Sequence, residues 1–447
     1  MIKYIVMGTG ISGQSMIDRL RKNGESPLIW DDEKKSNDDN IINDMSKVPW
    51  ENIKYIAKSP GIKPSHPLIL NAIKRGINVI SDVELAYILG CKGTLVAITG
   101  TNGKTTTTTL VNEILNKSGF KAQAVGNIGV GLVDALGDDS VEDVHVMELS
   151  SFQLTHVHEF KPKVAAITNI TPDHLDWHGS FENYVEAKLN IAGRKNSADT
   201  LVLNYDDEIL RKWAPENSNI IYFSVHDIIE NGFYLKEDSL YRKDSFGEHL
   251  IINRAEVPIL GMHNVENVLC AAAICHSLGV NDADIYKGIK EFKAVSHRIE
   301  PSGAINGVEY YNDSKGTNPE ASIKAIEAMG EKPIILFAGG YDKGSDYGDY
   351  AKSAIKTSKL LITMGQTAEA IEEAFIIDGF DFEKIIRVKS MAEALDRAYE
   401  NALPGDVVLL SPACASWGMY DNYEQRGNEF KDIVKELRKR HEKPEER

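Results

Sequence analysis

The sequence predicts an α/β fold divided into three domains. Short apolar runs alternate with helical patterns along the whole chain, which is typical of parallel sheets covered by helices. The chain has 447 residues, more than one hydrophobic core ordinarily supports, and roughly 150 residues per domain gives about three domains. We therefore expect domains over residues 1–92, 93–297 and 298–447.

The predicted elements follow one another in three blocks. The first block contains strands and helices near Tyr4–Met7, Ser12–Lys22, Leu28–Trp30, Lys54–Ala57 and Leu68–Lys74. The second contains Leu95–Thr99, Lys104–Lys117, Val144–Met147, Val164–Thr168, Tyr184–Ile191, Thr200–Leu203 and Val265–Ser277. The third contains Tyr310–Tyr311, Ile334–Phe337, Leu360–Thr363, Val407–Leu410 and a charged helix through Arg440. Polar and apolar residues alternate from Gly232 to Asn253, which predicts a small antiparallel addition to the second block.

The composition argues against several classes of protein. Hydrophobic residues make up 42% of the chain and charged residues 26%, values close to the globular average, so disorder is not expected. The net charge of −16 would repel a phosphate backbone, so nucleic-acid binding is not expected. We find neither a signal-peptide pattern nor an apolar run long enough to span a bilayer. We expect a soluble, cytoplasmic monomer without membrane insertion.

The strongest local motif is the glycine loop at residues 98–106, Ile-Thr-Gly-Thr-Asn-Gly-Lys-Thr-Thr. It joins a buried strand to the start of a helix, where backbone N–H groups and the helix dipole attract phosphate. Lys104 adds a full positive charge, and the Thr105 hydroxyl can hold Mg²⁺. Ile98 occupies the first glycine position of the strict motif. The loop predicts a site for a nucleoside triphosphate.

A second glycine loop, Gly8-Thr-Gly-Ile-Ser-Gly13, follows the first strand and precedes a helix. Asp31 stands at the end of the next predicted strand, and the turn Ser59-Pro-Gly-Ile62 follows a third. Such a loop binds the pyrophosphate of NAD or of any other nucleoside diphosphate, and it can also be a purely structural turn. These three interpretations, an NAD site, a site for another nucleoside diphosphate and a structural turn, all remain open.

Residues between 145 and 188 are candidates for a magnesium site. Glu148 stands at a strand end, and His174 lies within Asp173-His-Leu-Asp-Trp-His178. The spacing is not that of a zinc site, and a packed loop histidine is the alternative. Beside a loop that binds ATP, however, an acid and a neutral imidazole are suitable partners for Mg²⁺. Asp173, Asp176 and His178 are further candidates.

Three polar loops follow strands of the third block. They are Tyr311 to Asn318, Gly339 to Gly344 and Ser411 to Ser416. Because the carboxyl ends of parallel strands form one edge of a sheet, these loops predict a ligand site in the third domain.

Eight segments, taken together, resemble the Mur ligase family. They are Gly-Thr-Asn-Gly-Lys-Thr-Thr (100–106), Glu-Leu-Ser-Ser-Phe-Gln-Leu (148–154), Asp-His-Leu-Asp (173–176), Ala-Lys-Leu (187–189), His-Asn-Val-Glu-Asn (263–267), His-Arg (297–298), Asn-Asp-Ser-Lys (312–315) and Ser-Pro-Ala-Cys-Ala-Ser (411–416). The resemblance implies a Rossmann-like N-terminal domain, a P-loop central ATPase domain and a Rossmann-like C-terminal domain. Within the family, Ser-Ser-Phe-Gln-Leu, the early glycine loop with Ser-Pro-Gly-Ile, and Glu-Gln-Arg-Gly-Asn-Glu-Phe (424–430) are similar to the ligases that add D-glutamate to UDP-N-acetylmuramoyl-L-alanine.

The resemblance also implies a role for each motif residue. UDP would be bound by Gly8, Gly10, Ser12, Gly13, Asp31 and Ser59, with Asn127 at the junction. ATP would be bound by Gly100, Thr101, Asn102, Gly103, Lys104, Thr105, Thr106, Asn267, Arg298 and Asp313. Mg²⁺ would be held by Thr105, Glu148, His174 and a carbamylated Lys188. Lys315 and Thr317 would lie near the acyl phosphate, and D-glutamate would contact Lys343, Ser416 and Tyr423, the last in place of a common phenylalanine. Lys104, His174 and Lys188 would be catalytic.

The implied reaction uses ATP to convert a carboxylate into an acyl phosphate, which the amine of an amino acid then attacks. Another Mur ligase or a folylpolyglutamate synthase, with a different amino acid or acceptor, is the first alternative. An NAD-dependent oxidoreductase that uses the first glycine loop is the second, although it leaves residues 98–106 unexplained. A P-loop switch or binding module without synthetic chemistry is the third.

Overall fold

The computed structural model describes residues 3–33, 40–128, 130–135, 143–193, 198–215, 219–293, 295–341 and 344–441. These residues form two compact units, Met1–Val257 with Val265–Phe292, and Pro258–Asn264 with Lys293–Arg447. The first unit contains a five-stranded and a nine-stranded sheet, and the second contains a six-stranded sheet. The predicted α/β fold with parallel sheets is confirmed.

The first sheet is parallel and has the strand order β3-β2-β1-β4-β5. β1, with the sequence Tyr-Ile-Val-Met, is buried throughout and lies at the centre of the sheet. Strands β2 and β3 lie on one side of it and β4 and β5 on the other, so the glycine loop after β1 lies at the switch point of the strand order, where such sheets bind ligands. The elements are β1 Tyr4–Met7, α1 Ile11–Lys22, β2 Leu28–Trp30, β3 Ile41–Ile42, β4 Tyr55–Lys58, α2 Pro67–Lys74, β5 Asn78–Ile80 and α3 Asp82–Ile88.

The second sheet has the order β14-β13-β12-β11-β10-β9-β6-β8-β7. Strands β6 to β12 are parallel, and β12, β13 and β14 pair antiparallel as the alternating sequence predicted. The strands are β6 Thr94–Thr99, β7 Ala122–Gly126, β8 Val144–Glu148, β9 Val164–Ile167, β10 Thr200–Asn204, β11 Asn219–Ser224, β12 Gly232–Lys236, β13 Ser239–Asp244 and β14 Gly247–Asn253. The helices are α4 Lys104–Lys117, α5 Leu132–Ala135, α6 Ser151–Leu154, α7 Leu175–His178, α8 Phe181–Leu189, α9 Glu208–Trp213, α10 Met262–Ser277 and α11 Asp282–Lys290.

The antiparallel strands help to hold the helix that follows the glycine loop. Arg242 of β13 is buried, and its guanidinium group donates to both carboxylate oxygens of Asp282 at the start of α11, at 3.2 and 2.9 Å. Helix α11 packs against α4 so closely that a Cβ atom on Gly288 would lie 2.6 Å from the Ile114 side chain. The added strands therefore anchor α11, which in turn supports α4.

The two sheets of the first unit are joined by a buried carboxylate. Glu84 of α3 is 1% exposed and accepts hydrogen bonds from the backbone N–H groups of His158, Glu159 and Phe160, at 2.9, 2.7 and 3.1 Å. Asp82 accepts a further bond from the Gln153 amide at 3.0 Å. Charge-assisted hydrogen bonds of this kind are stronger than neutral ones. They fix the strand ends of the first sheet relative to those of the second.

The sheet of the second unit has the order β15-β16-β20-β17-β18-β19 and is parallel except for the hairpin β15-β16. Its elements are β15 Glu300–Ile305, β16 Val308–Asn312, α12 Pro319–Ala328, β17 Ile334–Ala338, α13 Gly348–Ala354, β18 Ser358–Thr363, α14 Ala368–Ile377, β19 Ile385–Arg387, α15 Met391–Asn401, β20 Val407–Leu410 and α16 Tyr423–His441. Within the described ranges, no helix has both the length and the apolar character needed to cross a membrane.

Candidate active site

Four neighbouring strands of the second sheet, β9, β6, β8 and β7, end at one edge. Their register places Glu148 beside Ile98 on one side and beside Gly126 on the other. The glycine loop follows β6, Asn127 follows β7, and the segment that leads to His174 follows β9. The central candidate residues predicted from sequence are therefore brought to the same edge.

The glycine loop has little freedom to move, and two of its residues must be glycine. Gly100 and Gly103 have φ values of 154° and 85°, and a Cβ atom would overlap Thr168 Oγ1 at the first position and Asn267 Oδ1 at the second. The Asn102 N–H donates to Asn169 Oδ1 at 2.9 Å. Helix α4 begins directly after this loop, and the N–H groups of its first turn have no intrahelical acceptor. The loop and helix can bind a phosphate group.

Two lysine side chains meet at one backbone carbonyl. Lys104 Nζ donates to the carbonyl oxygens of Gly100 and Thr101 at 2.9 and 2.8 Å, and Lys188 Nζ donates to that of Gly100 at 2.7 Å. Lys188 is 2% exposed, and its Nζ lies 4.7 Å from the centre of the Tyr184 ring. Burial, followed by the positive charge of Lys104, lowers the pKa of Lys188 well below its ordinary value. A neutral amine at this position is a nucleophile.

Glu148 and Thr105 provide further oxygen atoms at this edge of the sheet, Glu148 at the end of β8 and Thr105 directly after Lys104 in sequence. Glu148 is 4% exposed, and its Oε2 atom is buried without a hydrogen-bond partner in the described part of the chain. A buried carboxylate oxygen of this kind is a suitable ligand for a hard cation, because its negative charge would otherwise be left without compensation. The Thr105 side chain is also buried, in the first turn of α4.

His174 stands in an unusual backbone conformation. Its φ is 52°, its side chain is half exposed, and its ring packs on Phe152 with the ring centres 4.9 Å apart. Nε2 lies 3.5 Å from Asp173 Oδ2. The further candidate His178 is buried, and its Nε2 is hydrogen-bonded to Ser151 Oγ at 2.9 Å. Among the described residues, no three His, Cys, Asp or Glu side chains cluster as metal ligands.

Two pockets connect the sheets of the first unit. The larger pocket, of about 280 Å³, is lined by Pro60, Lys104, Asn127, Ser150, Ser151, Phe152, Asp173, His174, Tyr184 and Lys188. The smaller pocket, of about 70 Å³, is lined by Ile11, Ser12, Ser15, Pro60, Asp82, Gly126, Asn127, Gly131, Leu132, Val133 and Gln153. Pro60 and Asn127 line both pockets, so a ligand held by the first sheet can extend towards Lys104 and Lys188.

The predicted residues of the first sheet surround the end of β1. A Cβ atom on Gly13 would overlap the Gly8 carbonyl oxygen and lie 3.0 Å from Ser59 Oγ, so these three residues are in close contact. Ser59 Oγ is buried without a hydrogen-bond partner in the described ranges. The Thr9 hydroxyl donates to Asp31 Oδ2 at 2.5 Å. Gly10 caps α1, and Ser12 in its first turn lines the smaller pocket.

In the second unit, Asp313 follows β16 and is buried. Its carboxylate accepts hydrogen bonds from Ser411 Oγ at 2.8 Å and from the Ile299 N–H at 3.2 Å. Burial raises the pKa of Asp313 to about 7, although the Ser411 hydroxyl and the nearby Arg298 act in the opposite direction. Nε of Arg298 is buried without a hydrogen-bond partner in the described chain. The Asp313–Ser411 hydrogen bond brings two of the three predicted loops together, those after β16 and β20.

Of the remaining predicted residues of this unit, Lys315 and Thr317 lie on the loop after β16, Ser416 lies on the loop after β20, and Tyr423 begins α16. Lys315 Nζ is 5.5 Å from the centre of the Tyr423 ring, and Thr317 follows two residues later. Ser416 is buried, and its carbonyl oxygen accepts from the Tyr420 N–H at 3.1 Å. Lys343 lies outside the described residues.

Sequence reasoning missed buried polar residues that support these loops. Arg426 is 2% exposed and donates to Ser314 Oγ, to the Ser314 carbonyl and to the Cys414 carbonyl, at 2.9, 2.7 and 3.1 Å, so it ties the loops after β16 and β20 together. Tyr184 OH is 2.9 Å from Thr101 Oγ1 of the glycine loop. Lys58 is fully buried at the end of β4. The sequence did contain a signal for Lys58, because a charged residue stands at the end of an otherwise apolar strand.

Asp313 provides a test of this geometry through pH. Its pKa in the folded protein lies above the ordinary value of 3.8, so between about pH 4 and pH 7 the folded state keeps a proton that the unfolded state has released. Its contribution to stability is therefore lost as the pH rises through this window. We expect the free energy of unfolding of the wild type to fall by roughly 2–4 kcal/mol more than that of Asp313→Asn between pH 4 and pH 8.

Urea unfolding across this pH range measures the difference. Asp349→Asn is a suitable control, because the Asp349 side chain is 92% exposed. The same pH profile for the wild type and Asp313→Asn would contradict the raised pKa.

Comparisons with known proteins agree with the motifs. The Mur ligase middle domain matches residues 98–275, and the Mur ligase, glutamate ligase domain matches residues 297–414. A UDP-N-acetylmuramoylalanine–D-glutamate ligase of Lachnospira eligens is 44% identical over 97% of this chain and 98% of its own length. One of Thermoanaerobacter sp. is 40% identical over 98% and 99%. The solved structure of UDP-N-acetylmuramate-alanine ligase MurC from Thermotoga maritima, 19% identical, shares the fold with a TM-score of 0.60 over 98% of this chain and 100% of that one. The chain belongs to the Mur ligase family.

Proposed function

We propose that this protein is an ATP-dependent ligase that adds D-glutamate to UDP-N-acetylmuramoyl-L-alanine in peptidoglycan precursor synthesis. The relatives that carry this activity in their names match almost the whole chain. The observation that carries the chemistry is the larger pocket, in which Pro60 of the first sheet, Lys104 of the glycine loop and Lys188 line one cavity. The proposal places the enzyme in the cytoplasm, where ATP is available, and takes it to be a monomer.

The arrangement suits activation of a carboxylate by ATP. A carboxylate and an amine at neutral pH form a salt, since the carboxylate is a poor electrophile. Transfer of the γ-phosphoryl group to the alanyl carboxylate would give ADP and an acyl phosphate. The amine of D-glutamate then attacks the acyl carbon, phosphate leaves, and the amine releases a proton. Lys104 and the first turn of α4 would stabilise the negative charge of the transferring group, as fixed donors do in phosphoryl transfer.

The residues of the site fit a magnesium ion. Glu148 has a buried carboxylate oxygen without a partner in the described ranges, and oxygen ligands are those that Mg²⁺ prefers. Thr105, Glu148, His174 and a carbamylated Lys188 would hold it. Bound there, Mg²⁺ would offset the negative charge of the ATP phosphates.

The buried position of Lys188 supports its carbamylation. Burial and the neighbouring Lys104 both lower the pKa of Lys188, and the Asp173 carboxylate offsets this effect only in part. Reaction of its neutral amine with CO₂ forms an N–C bond and releases one proton, which gives an N-carboxylated side chain with a negative charge. This change replaces repulsion between Lys188 and a metal ion by attraction.

We assign the other predicted residues as the resemblance to the family implies. Domain 1–92 would bind the UDP part of the substrate, domain 93–297 would bind ATP and domain 298–447 would bind D-glutamate. The UDP ligands would be Gly8, Gly10, Ser12, Gly13, Asp31, Ser59 and Asn127. Asn267, Arg298 and Asp313 would contact ATP, and Lys315, Thr317, Lys343, Ser416 and Tyr423 would lie around the amino acid.

Mass analysis of the product tests which amino acid the protein adds. We expect the chain, incubated with UDP-N-acetylmuramoyl-L-alanine, ATP and Mg²⁺, to form a product larger by one glutamyl residue with D-glutamate, and to release one phosphate for each product molecule. L-alanine, L-glutamate and a diamino acid, supplied singly, should give no product. Activity with one of these instead of D-glutamate would indicate another member of the family, and ATP hydrolysis without any amide would indicate a nucleotide-dependent module.

The carbamate is tested through Lys188. We expect Lys188→Ala to lose activity by about 100-fold or more, since the positioned anion is lost, and short carboxylic acids added to the assay should restore part of it. Lys212→Ala, at a side chain that is 73% exposed, is the control. Carbon-13 NMR of the wild type under labelled CO₂ should show a carbamate signal that Lys188→Ala lacks. Full activity in Lys188→Ala would rule out the role.

A further inference from the structure

Lys58, at the end of β4, is a buried cation that the reaction described above does not use. Its side chain is 0% exposed, and the Asp82 carboxylate is the charged group that favours its protonated form. Its Nζ donates two long hydrogen bonds to the carbonyl oxygens of Ser59 and Pro60, at 3.4 and 3.3 Å. It also lies 5.2 Å from the centre of the Trp177 ring, within the range of a cation–π interaction.

Trp177 connects this cation to the segment that carries His174. The indole Nε1–H donates to the Gly61 carbonyl at 3.2 Å, and Lys63 Nζ donates to the Asp176 carbonyl at 3.0 Å. The turn after β4 is thus bound to the 174–178 segment by three independent contacts. They come from Lys58, Trp177 and Lys63.

The same indole is linked to the larger pocket through two tilted ring contacts. Trp177 packs on Phe152 with ring centres 4.6 Å apart, and Phe152 packs on His174 at 4.9 Å. Phe152 and His174 both line the larger pocket, and Pro60 lines both pockets. A displacement of the turn would therefore move the shared wall of the two pockets relative to His174.

The cost of burying Lys58 indicates a role other than stability. Burial lowers the pKa of Lys58 to about 8, and the Asp82 carboxylate offsets this effect only in part. A buried ammonium group is therefore more costly here than an apolar side chain of similar volume. An apolar residue would complete strand β4, whose preceding residues are Tyr-Ile-Ala, at a lower cost. What an apolar residue would not supply is the pair of hydrogen bonds to the turn and the attraction to the Trp177 ring.

We infer that Lys58 is a positioning residue for the nucleotide-sugar substrate. Its ammonium group holds the Ser59–Pro60 turn against Trp177 and thereby fixes the common wall of the two pockets relative to His174. This inference rests on the proposed function, because it takes the ligand of the two pockets to be the UDP-linked carboxylate.

The test compares Lys58→Met with the wild type in substrate binding and in turnover. We expect the KM for UDP-N-acetylmuramoyl-L-alanine to rise by about 10-fold, the KM for ATP to stay within about twofold, and kcat to fall by less than about threefold. Titration calorimetry without ATP or Mg²⁺ should show a similar loss of affinity for the nucleotide sugar. Lys54→Met is the matched control, because Lys54 also lies over an aromatic ring, that of Tyr55 at 5.0 Å, but is exposed.

Thermal unfolding separates positioning from folding. We expect Lys58→Met to stay folded and to unfold close to the wild-type temperature, because the gain from removing a buried charge opposes the loss of its attraction to Asp82. Trp177→Phe keeps a ring but loses the hydrogen bond to Gly61, and we expect a smaller rise in the same KM. Unchanged affinity in both variants, or equal losses for ATP and the nucleotide sugar, would overturn the inference. If the wild type itself forms no product, the proposed function fails instead, and the calorimetric comparison still reports on Lys58.

Discussion

The site depends on the convergence of Lys104 and Lys188 on the carbonyl oxygen of Gly100. Two ammonium groups at one oxygen repel each other strongly when they are shielded from water, and the arrangement is tolerable only if one of them gives up its proton or its charge is reversed. Lys188 is the buried partner, so it is the one whose charged form is disfavoured. The neutral amine proposed for Lys188 follows from this contact, whereas the anion-binding character of the loop comes from its backbone N–H groups, the start of α4 and Lys104.

That contact requires a rigid loop, and the surrounding residues provide one. Thr168 and Asn267 approach the loop so closely that only glycine fits at positions 100 and 103. The Tyr184 hydroxyl is hydrogen-bonded to the Thr101 hydroxyl of the loop, and Tyr184 lies on α8, the helix that also carries Lys188. Further away, the antiparallel strands hold α11 against α4. Residues from several elements of the nine-stranded sheet and its helices therefore hold the glycine loop in one conformation.

The buried carboxylate of Glu84 has a comparable effect between the two sheets of the first unit. It fixes the turn at His158 to Phe160 against α3, so the pockets that share Pro60 and Asn127 are formed within one unit. In the other unit, Arg426 holds the loop after β16 beside the loop after β20. Both are charged side chains bonded mainly to the backbone, and both position loops that carry candidate ligands.

Local patterns could be predicted from the sequence, and contacts between distant segments could not. The glycine loop at 98–106 combines a buried strand, glycines and a helix start within nine residues, and the alternation from Gly232 to Asn253 is equally local. The helix predicted from Tyr184 begins earlier, at Phe181, because Ser180 caps it by accepting from the Asn183 N–H, and it ends at Leu189 before a short 3-10 turn. Glu84, Lys58 and Arg426 were missed because their partners lie far along the chain or in the backbone, where no residue pattern marks them.

The proposed mechanism is tested most directly by asking whether an oxygen atom of the substrate carboxylate is transferred to phosphate. UDP-N-acetylmuramoyl-L-alanine labelled with oxygen-18 in its alanyl carboxylate can be converted with ATP and D-glutamate, and the phosphate released can be analysed by mass spectrometry. If the γ-phosphoryl group passes at Lys104 to the carboxylate held by the first sheet, one labelled oxygen must appear in each phosphate. Unlabelled phosphate, formed together with the amide product, would show that ATP activates no carboxylate and would contradict the account.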